Sequence, residues 1–227
     1  MKVVLTCEHG GNNIPGDFAG LFNGKEEVLN SHRGYDPGAL ELFMQLKDLA
    51  DYSFYSTTSR LLVELNRSPH NRQLFSEFTK PLSRDVKQRI MQDHYFFYRD
   101  KIEQLIQREI SQGEKVLHIS VHTFTPVLNA KVRNADVGLL FDPSKALEKD
   151  FVRIWKFNFK KIAPGLNIRF NYPYLGRDDG FTTYLRKKNP TNYLGIELEV
   201  NQAFFRTGSM DDEICGGLYK SLQQTLK

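Results

Sequence analysis

The sequence predicts an α/β fold in a single domain, and three observations carry that expectation. Short apolar runs bounded by turn residues alternate with amphipathic stretches at helical spacing, the pattern of a sheet layered with helices. A chain of 227 residues with 40% hydrophobic content is long enough for one sizeable core, and nothing in it demands a second domain, so residues 1–227 are taken as one unit. Several apolar runs also break off abruptly at polar residues, as strands do when they leave a core at a cleft.

Taken in order, the first strand is the run Val3-Val4-Leu5. Cys7 lies inside it as a small core residue, His9 is its last side chain, and Gly10-Gly11 let the backbone turn tightly behind it. A helix is expected over 38–51, where Leu40, Phe43, Leu46, Leu49 and Ala50 recur at helical spacing, and a strand follows over 53–57. The run from Ser59 to Pro69 reads as a short strand or extended segment, opened by Arg60 and closed by Asn66-Arg67. Residues 82–112 read as a long helix. Its apolar stripe is Ile90, Tyr95, Phe97, Ile102, Leu105, Ile106 and Ile110, and Gly113 caps its end. The aromatic cluster 95–98 must turn two of its four rings to the core, which makes it packing rather than a binding platform. A buried strand then carries His122 into a polar loop. After it come a strand over 137–141, a helix over 146–162, strands over 168–171 and 193–202, and a last helix from about Asp211 with Asp211, Asp212 and Glu213 at its positive end.

Chemistry-bearing residues gather at the ends of these runs. His9 and His122, each at the end of a strand and more than a hundred residues apart, suit an open zinc site assembled from two strand ends. In the run 193–202, Glu197 and Glu199 are two apart and face the same side of a strand otherwise made of Ile, Leu and Val. Burying both requires a cation nearby, either a metal or the arginines. Residues 171–183 have no apolar periodicity, are rich in turn formers and read as an active-site loop in which Arg177 and Thr182 hold a polar substrate. Arg133 is placed to reach a substrate carboxylate from the linker after His122.

The composition narrows the classes of function. The formal charge of +4 is spread over scattered Lys and Arg without a basic stripe, which argues against a nucleic-acid partner. Two cysteines, Cys7 and Cys215, are too few for a disulfide scaffold and fit a reducing cytoplasm. There is no signal-like N-terminus and no apolar stretch long enough for a bilayer, so no membrane partner is expected. The oligomeric state stays open.

The ordered blocks Glu8-His9-Gly10-Gly11-Asn12 with Ile14-Pro15, His32 to Ala39, Ser59-Arg60 with Leu65-Asn66-Arg67, His122-Thr123, and Glu197 to Asn201 resemble the N-formylglutamate amidohydrolase family. This resemblance implies a three-layer α/β/α fold with a mixed central sheet, phosphorylase/hydrolase-like and akin to the zinc carboxypeptidases. It also implies a Zn2+ cofactor with His9 and His122 as ligands, Arg60 polarising the scissile carbonyl, and Asn66 and Arg67 gripping a substrate carboxylate. Glu199 matches the glutamate that activates water, and Glu197 is the alternative base. In the carboxypeptidase pattern a Glu stands three residues after the first His, whereas this chain has Asn12 there. An amide is a poorer zinc ligand, so the third ligand is open among Asp36, Glu8 and Asn12. Asp36 comes first, with a helix N-cap followed by Pro37 as its alternative role. The expected activity is metal-dependent hydrolysis of the amide of an N-formyl or N-acyl amino acid, a small carboxylate-bearing molecule. A zinc hydrolase of another such amide, or a non-catalytic binding relative that has lost a ligand, are the alternatives.

Overall fold

The computed structural model describes residues 1–227 and is built on one six-stranded sheet. Its strands are β1 (Lys2–Cys7), β2 (Tyr52–Tyr55), β3 (Val116–Phe124), β4 (Val137–Leu140), β5 (Ile168–Phe170) and β6 (Tyr193–Asn201). They lie in the order β2-β1-β3-β6-β4-β5, all neighbours parallel except β6 and β4, which are antiparallel. The sheet is therefore mixed, as the resemblance implies. Five helices flank it: α1 (Ala39–Leu46), α2 over 84–111, α3 (Ala146–Ile162), α4 (Phe181–Lys188) and α5 (Asp212–Thr225). No helix is long and apolar enough to cross a membrane.

Alternation along the central strands sorts the residues into two layers. Odd-numbered positions of β1 and β3, Leu5, Cys7, Ile119 and Val121 among them, join Ile196, Leu198 and Val200 in a core closed by α1, α3 and α5. Trp155 of α3 sits fully buried there, its indole N–H donating to Ser221 at 3.0 Å. On the opposite face, Val4, Val116 and Tyr193 pack against Ile102 and Ile106 of α2 and Phe181 and Leu185 of α4. Further along that face Thr6 and Glu8, His118, Ser120 and His122, and Glu197 and Glu199 form a polar column that leads toward the carboxyl ends of β1, β3 and β6. Such a crevice beyond the strand ends is where open α/β sheets place ligands.

Three local expectations change. Residues 59–69 form no strand: Leu62 N–H bonds back to Ser59 and Arg67 N–H to Glu64, both local turns. The apolar side chains Leu61, Leu62, Val63 and Leu65 instead fill a second core with Phe18, Phe22, Leu74, Ile90 and Tyr95. Phe97 does not belong to the stripe of α2 and is 73% exposed. The cause is a π-helical stretch, Met91–Phe96, between the α-helical pieces Arg84–Ile90 and Phe97–Ser111. Its wider turn brings Tyr95, five residues on, beneath Ile90 and rotates Phe97 outward. Finally, β3 continues through His122 to Phe124, so that imidazole projects from a strand and not from a loop. The helix α4, which holds Thr182, was not anticipated at all.

Gly138 of β4 faces the crevice beside its cross-strand partner Glu199. A Cβ there would sit 2.0 Å from the backbone oxygen of Tyr172, so the glycine is what lets residues 171–180 lie across the strand. Gly138→Ala is expected to cost about 1–3 kcal/mol through this overpacking. The measurement is the urea midpoint, and an unchanged midpoint would show that the loop yields freely.

Candidate active site

The site begins where β1 ends. After Cys7 the chain turns through Gly10 and Gly11, whose missing side chains allow contact with the backbone continuing from β2; added Cβ atoms would meet Ser56 O at 2.9 Å and Thr57 O at 2.8 Å. This turn buries Glu8 and His9 at the top of the sheet. Asp36 arrives from the loop before α1, tied down by its N–H to the His9 carbonyl at 3.0 Å. Gly38, not Asp36, is the cap of α1, which leaves the Asp36 carboxylate free to point inward. His122 comes from β3, and Glu199 is its register partner on β6.

Asp36 Oδ2 lies 3.2 Å from His9 Nδ1 and 3.0 Å from His122 Nδ1, and the two rings are 5.0 Å apart between centroids. Each imidazole makes its outer hydrogen bond with Nε2. His9 Nε2 meets Glu64 Oε1 at 2.5 Å, while His122 Nε2 meets Ser120 Oγ at 2.8 Å and Glu8 Oε2 at 3.3 Å. Glu8 is itself held by the hydroxyls of Ser120 and Tyr98. Arg60 closes the arrangement, its Nε donating to Glu64 Oε2 at 2.8 Å and its Nη1 to Asp36 Oδ1 at 3.0 Å. Asp36, His9, Glu64 and Arg60 thus form a closed ring of charge-assisted bonds, with His122 and Glu8 attached to it.

The electrostatics follow from this ring. Burial alone would raise the Asp36 carboxyl, but His9, His122 and Arg60 hold it well below its usual range. Burial opposes the charged form of His122 as well, yet its bonds to Asp36 and Glu8 keep it well above the ordinary imidazole value. Glu8, desolvated but bonded to His122, is lowered to about 2. Glu199 behaves in the opposite way. Burial pushes it up to about 8 despite the pull of His122, with Asp36 and Glu197 adding to the rise, and its Oε2 is buried without any hydrogen-bond partner.

Two imidazole nitrogens and a carboxylate oxygen, all within 4.8 Å of one another, form a possible metal site. The donor set of two nitrogens and one oxygen fits a zinc-like divalent ion with a coordination position left open. The outer bonds of both imidazoles to carboxylates are the arrangement that fixes the tautomer and ring direction of a ligating histidine. Asn12 takes no part, since its amide donates to Leu29 O and Asn30 Oδ1. Glu8 stands on the far side of His122 from Asp36.

A polar cavity of about 140 Å³ opens beside this cluster, lined by His9, Asp36, Arg60, Asn66, Arg67, His122, Glu197 and Glu199 together with Thr123, Tyr174, Leu175, Asp178 and Asp179. Asn66 Oδ1 accepts the N–H of Phe181 at 2.7 Å, and Arg67 Nη1 reaches the carbonyls of Asn66 and Asp179 at 3.0 Å each. Three expected substrate contacts lie elsewhere. Thr182 is buried and donates to Glu197 Oε1 at 2.6 Å. Arg133 stands behind Tyr174, bonded to its hydroxyl at 3.1 Å. Arg177 opens into a separate depression with Phe141 and Pro143. The sequence reading overlooked Glu64, although its signal was present: a carboxylate in the apolar run Leu61-Leu62-Val63-Glu64-Leu65 needs a buried cation for the same reason as Glu197 and Glu199. Ser120 and Tyr98 carried no comparable mark.

A model of the N-formylglutamate amidohydrolase family matches residues 1–206. Among solved structures, a gene product from Agrobacterium tumefaciens is similar at TM-score 0.82 and 25% identity, over 99% of this chain and 90% of that one. An N-formylglutamate amidohydrolase from Ralstonia eutropha superposes at TM-score 0.68 and 14% identity, over 99% of this chain and 91% of its own. A metallo-carboxypeptidase from Burkholderia cenocepacia gives TM-score 0.39 and 13% identity over 99% of this chain and 56% of that one. A search of curated proteins finds no significant match.

Two outcomes are expected from this geometry. Glu64→Leu removes the outer partner of His9, which should weaken the binding of a divalent metal ion at the possible site by about 10–100-fold as measured by chelator competition; an unchanged affinity would mean that Glu64 does not orient the ring. The second concerns Glu199 in the metal-free protein. Its folded-state pKa of about 8 exceeds its ordinary value of 4.5, so its proton-linked stability is complete below the lower value and lost as pH rises through the upper one. Metal-free Glu199→Gln should lose less stability than the parent between pH 5 and 8 in urea titrations, and equal slopes would contradict the raised pKa.

Proposed function

The chain belongs to the N-formylglutamate amidohydrolase family, and from that premise we propose that it hydrolyses the amide bond of an N-formyl or N-acyl amino acid, using zinc held by His9, Asp36 and His122. One observation carries the reading: Glu199, a buried carboxylate with an unpartnered oxygen, lines the same cavity as the His-Asp-His cluster and is the register partner of His122. Zinc bound there supplies a Lewis acid for the amide carbonyl and activates water near neutral pH.

The side chains divide the remaining work. Glu199 accepts a proton from the attacking water and returns it to the leaving amine, and a carboxyl raised to about 8 suits a group that must do both near neutrality. Glu197, fixed by Thr182, is the neighbouring acid and helps to keep Glu199 protonatable. Arg60, a quarter exposed at the cavity wall, offers positive charge to the oxyanion while anchoring Asp36. Arg67, oriented with Asn66, holds the carboxylate on the amine side in the forked geometry that lysine lacks. Arg133 acts through Tyr174 at the mouth. Arg177 is left out of the assignment because its depression is separate from the cavity.

Zinc-loaded protein is expected to release formate, or a small acid, from N-formyl and N-acyl amino acids, and formylated simple amines without a carboxylate should be poor substrates. Glu199→Gln should retain the metal yet lower kcat by roughly two to four orders of magnitude. If Glu197→Gln gave that loss instead, the base would be Glu197. Arg67→Lys should mainly raise KM. His9→Ala or His122→Ala should abolish stoichiometric zinc by metal analysis while the fold persists by circular dichroism, and full occupancy in both would remove the proposed ligands.

A further inference from the structure

Charge is distributed unevenly around the cleft. Outside the His9-Asp36-His122 cluster, its wall carries the carboxylates of Asp178, Asp179 and Glu197, with the raised acid Glu199 beside them, against two guanidiniums, Arg60 and Arg67. Arg60 is already engaged, its Nε with the carboxylate of Glu64 and its Nη1 with that of Asp36. Arg67 differs: Nη1 donates to the backbone carbonyls of Asn66 and Asp179, its guanidinium forms no ion pair with a carboxylate, and Nε and Nη2 remain available. Asp179 is occupied in joining Ser68 and Asn71 to the loop. Asp178 is exposed at the mouth, where one carboxylate oxygen accepts the Leu175 N–H at 3.2 Å and the other has no partner. The remaining nearby cations do not redress the balance. Arg133 is stacked over Tyr174, 5.0 Å from the ring centroid, and Arg177 lines the neighbouring depression rather than the cleft.

One available guanidinium fork matches one carboxylate. A second carboxylate on the same small molecule would have to settle between Asp178 and Glu197, and like charges brought together in a cleft are strongly disfavoured. A neutral side chain avoids that repulsion, and a basic one finds the free oxygen of Asp178. We propose that the substrate presents a single carboxylate, the α-carboxylate held by Arg67, and that its amino-acid side chain is uncharged or basic rather than acidic. This rests on the amidohydrolase reading and narrows the substrate class within it, away from the formylglutamate after which the family is called.

The test compares N-formyl-L-glutamine with N-formyl-L-glutamate on the zinc-loaded protein, two molecules of nearly equal shape that differ by one charge. The glutamine derivative should have the higher kcat/KM by about tenfold or more at low ionic strength, with the ratio shrinking as salt is added. N-formyl-L-lysine should be at least as good as N-formyl-L-norleucine. Asp178→Asn should reduce the glutamine-to-glutamate ratio, with zinc content unchanged. Equal or faster hydrolysis of formylglutamate by the parent would overturn the inference and leave the amidohydrolase reading intact. Failure to cleave any formyl amino acid would overturn that reading and the inference with it.

Discussion

A carboxylate buried at the ends of three strands is tenable only if cations surround it, and Asp36 is that carboxylate here. Its two oxygens are divided between two imidazoles and one guanidinium, and each of those groups is bonded in turn to another carboxylate. The members come from β1, from the loop before α1, from the turns after Ser59 and from β3. These segments are distant in sequence, and the ring adds to the backbone bonds that join them, Asp36 N–H to the His9 carbonyl and Arg60 N–H to that of Gly34. Removing one member would leave its partners buried and uncompensated, which is far more costly than never having built the pair.

The sheet makes such a ring possible by treating its two faces differently. Strands β1, β3 and β6 are buried on both sides, as central parallel strands are, and would ordinarily be apolar throughout. Here the face toward α1, α3 and α5 holds the apolar core, while the opposite face of β3 carries His118, Ser120 and His122 in succession. Each of these has a partner. His118, lowered by burial to about 4, is held between Thr6 and the Tyr193 hydroxyl at 2.8 and 2.7 Å. Ser120 joins Glu8 to His122. The polar residues are therefore not isolated at the rim but continue a hydrogen-bonded column down into the sheet, which fixes the direction of His122 from below.

Much of this was legible in the sequence, and the parts that were not share a cause. The helix at Ala146–Ile162 and the strands around His122 and Glu199 were readable because each has a strong period of its own, set by its two-sided packing. His9, His122 and Glu199 stood out as polar groups in or at the ends of apolar runs, where a fold can gather them, while Asp36 was one of three candidates, in a turn rich in Gly and Pro. The segment from Ser59 to Pro69 misled because Leu61, Leu62 and Val63 look like a strand, but what they cover is a second core formed with distant loops, and no local pattern records that. The π turn in α2 is equally silent, since one extra residue per turn leaves the composition unchanged while moving Phe97 from the core to solvent. Arg177 and Thr182 illustrate a third limit. Both belong to a stretch that borders the cleft, but Arg177 lies in a loop whose anchors, the Asp179 bonds and the Gly138 contact, decide side-chain direction, and Thr182 is in the first turn of α4, where the helix turns it to Glu197.

The state of His122 links this architecture to its chemistry. Between Asp36 and Glu8 its protonated form is favoured, which means that the surrounding carboxylates already stabilise positive charge at the place where Nδ1 meets Asp36. A divalent cation taken up by the same three donors would take over that role, and the imidazole would have to give up its proton to ligate. Uptake is then coupled to proton release, so affinity rises with pH over the range in which His122 titrates. Glu8 and Glu64 favour the exchange from behind by accepting the outer N–H of each ring. The same excess of carboxylates extends into the cleft, where burial, with Asp36 and Glu197 adding to it, raises Glu199 to about 8 against the pull of His122. A buried acid without a partner is costly to maintain, and beside a possible metal site that cost is consistent with a group kept ready to exchange protons.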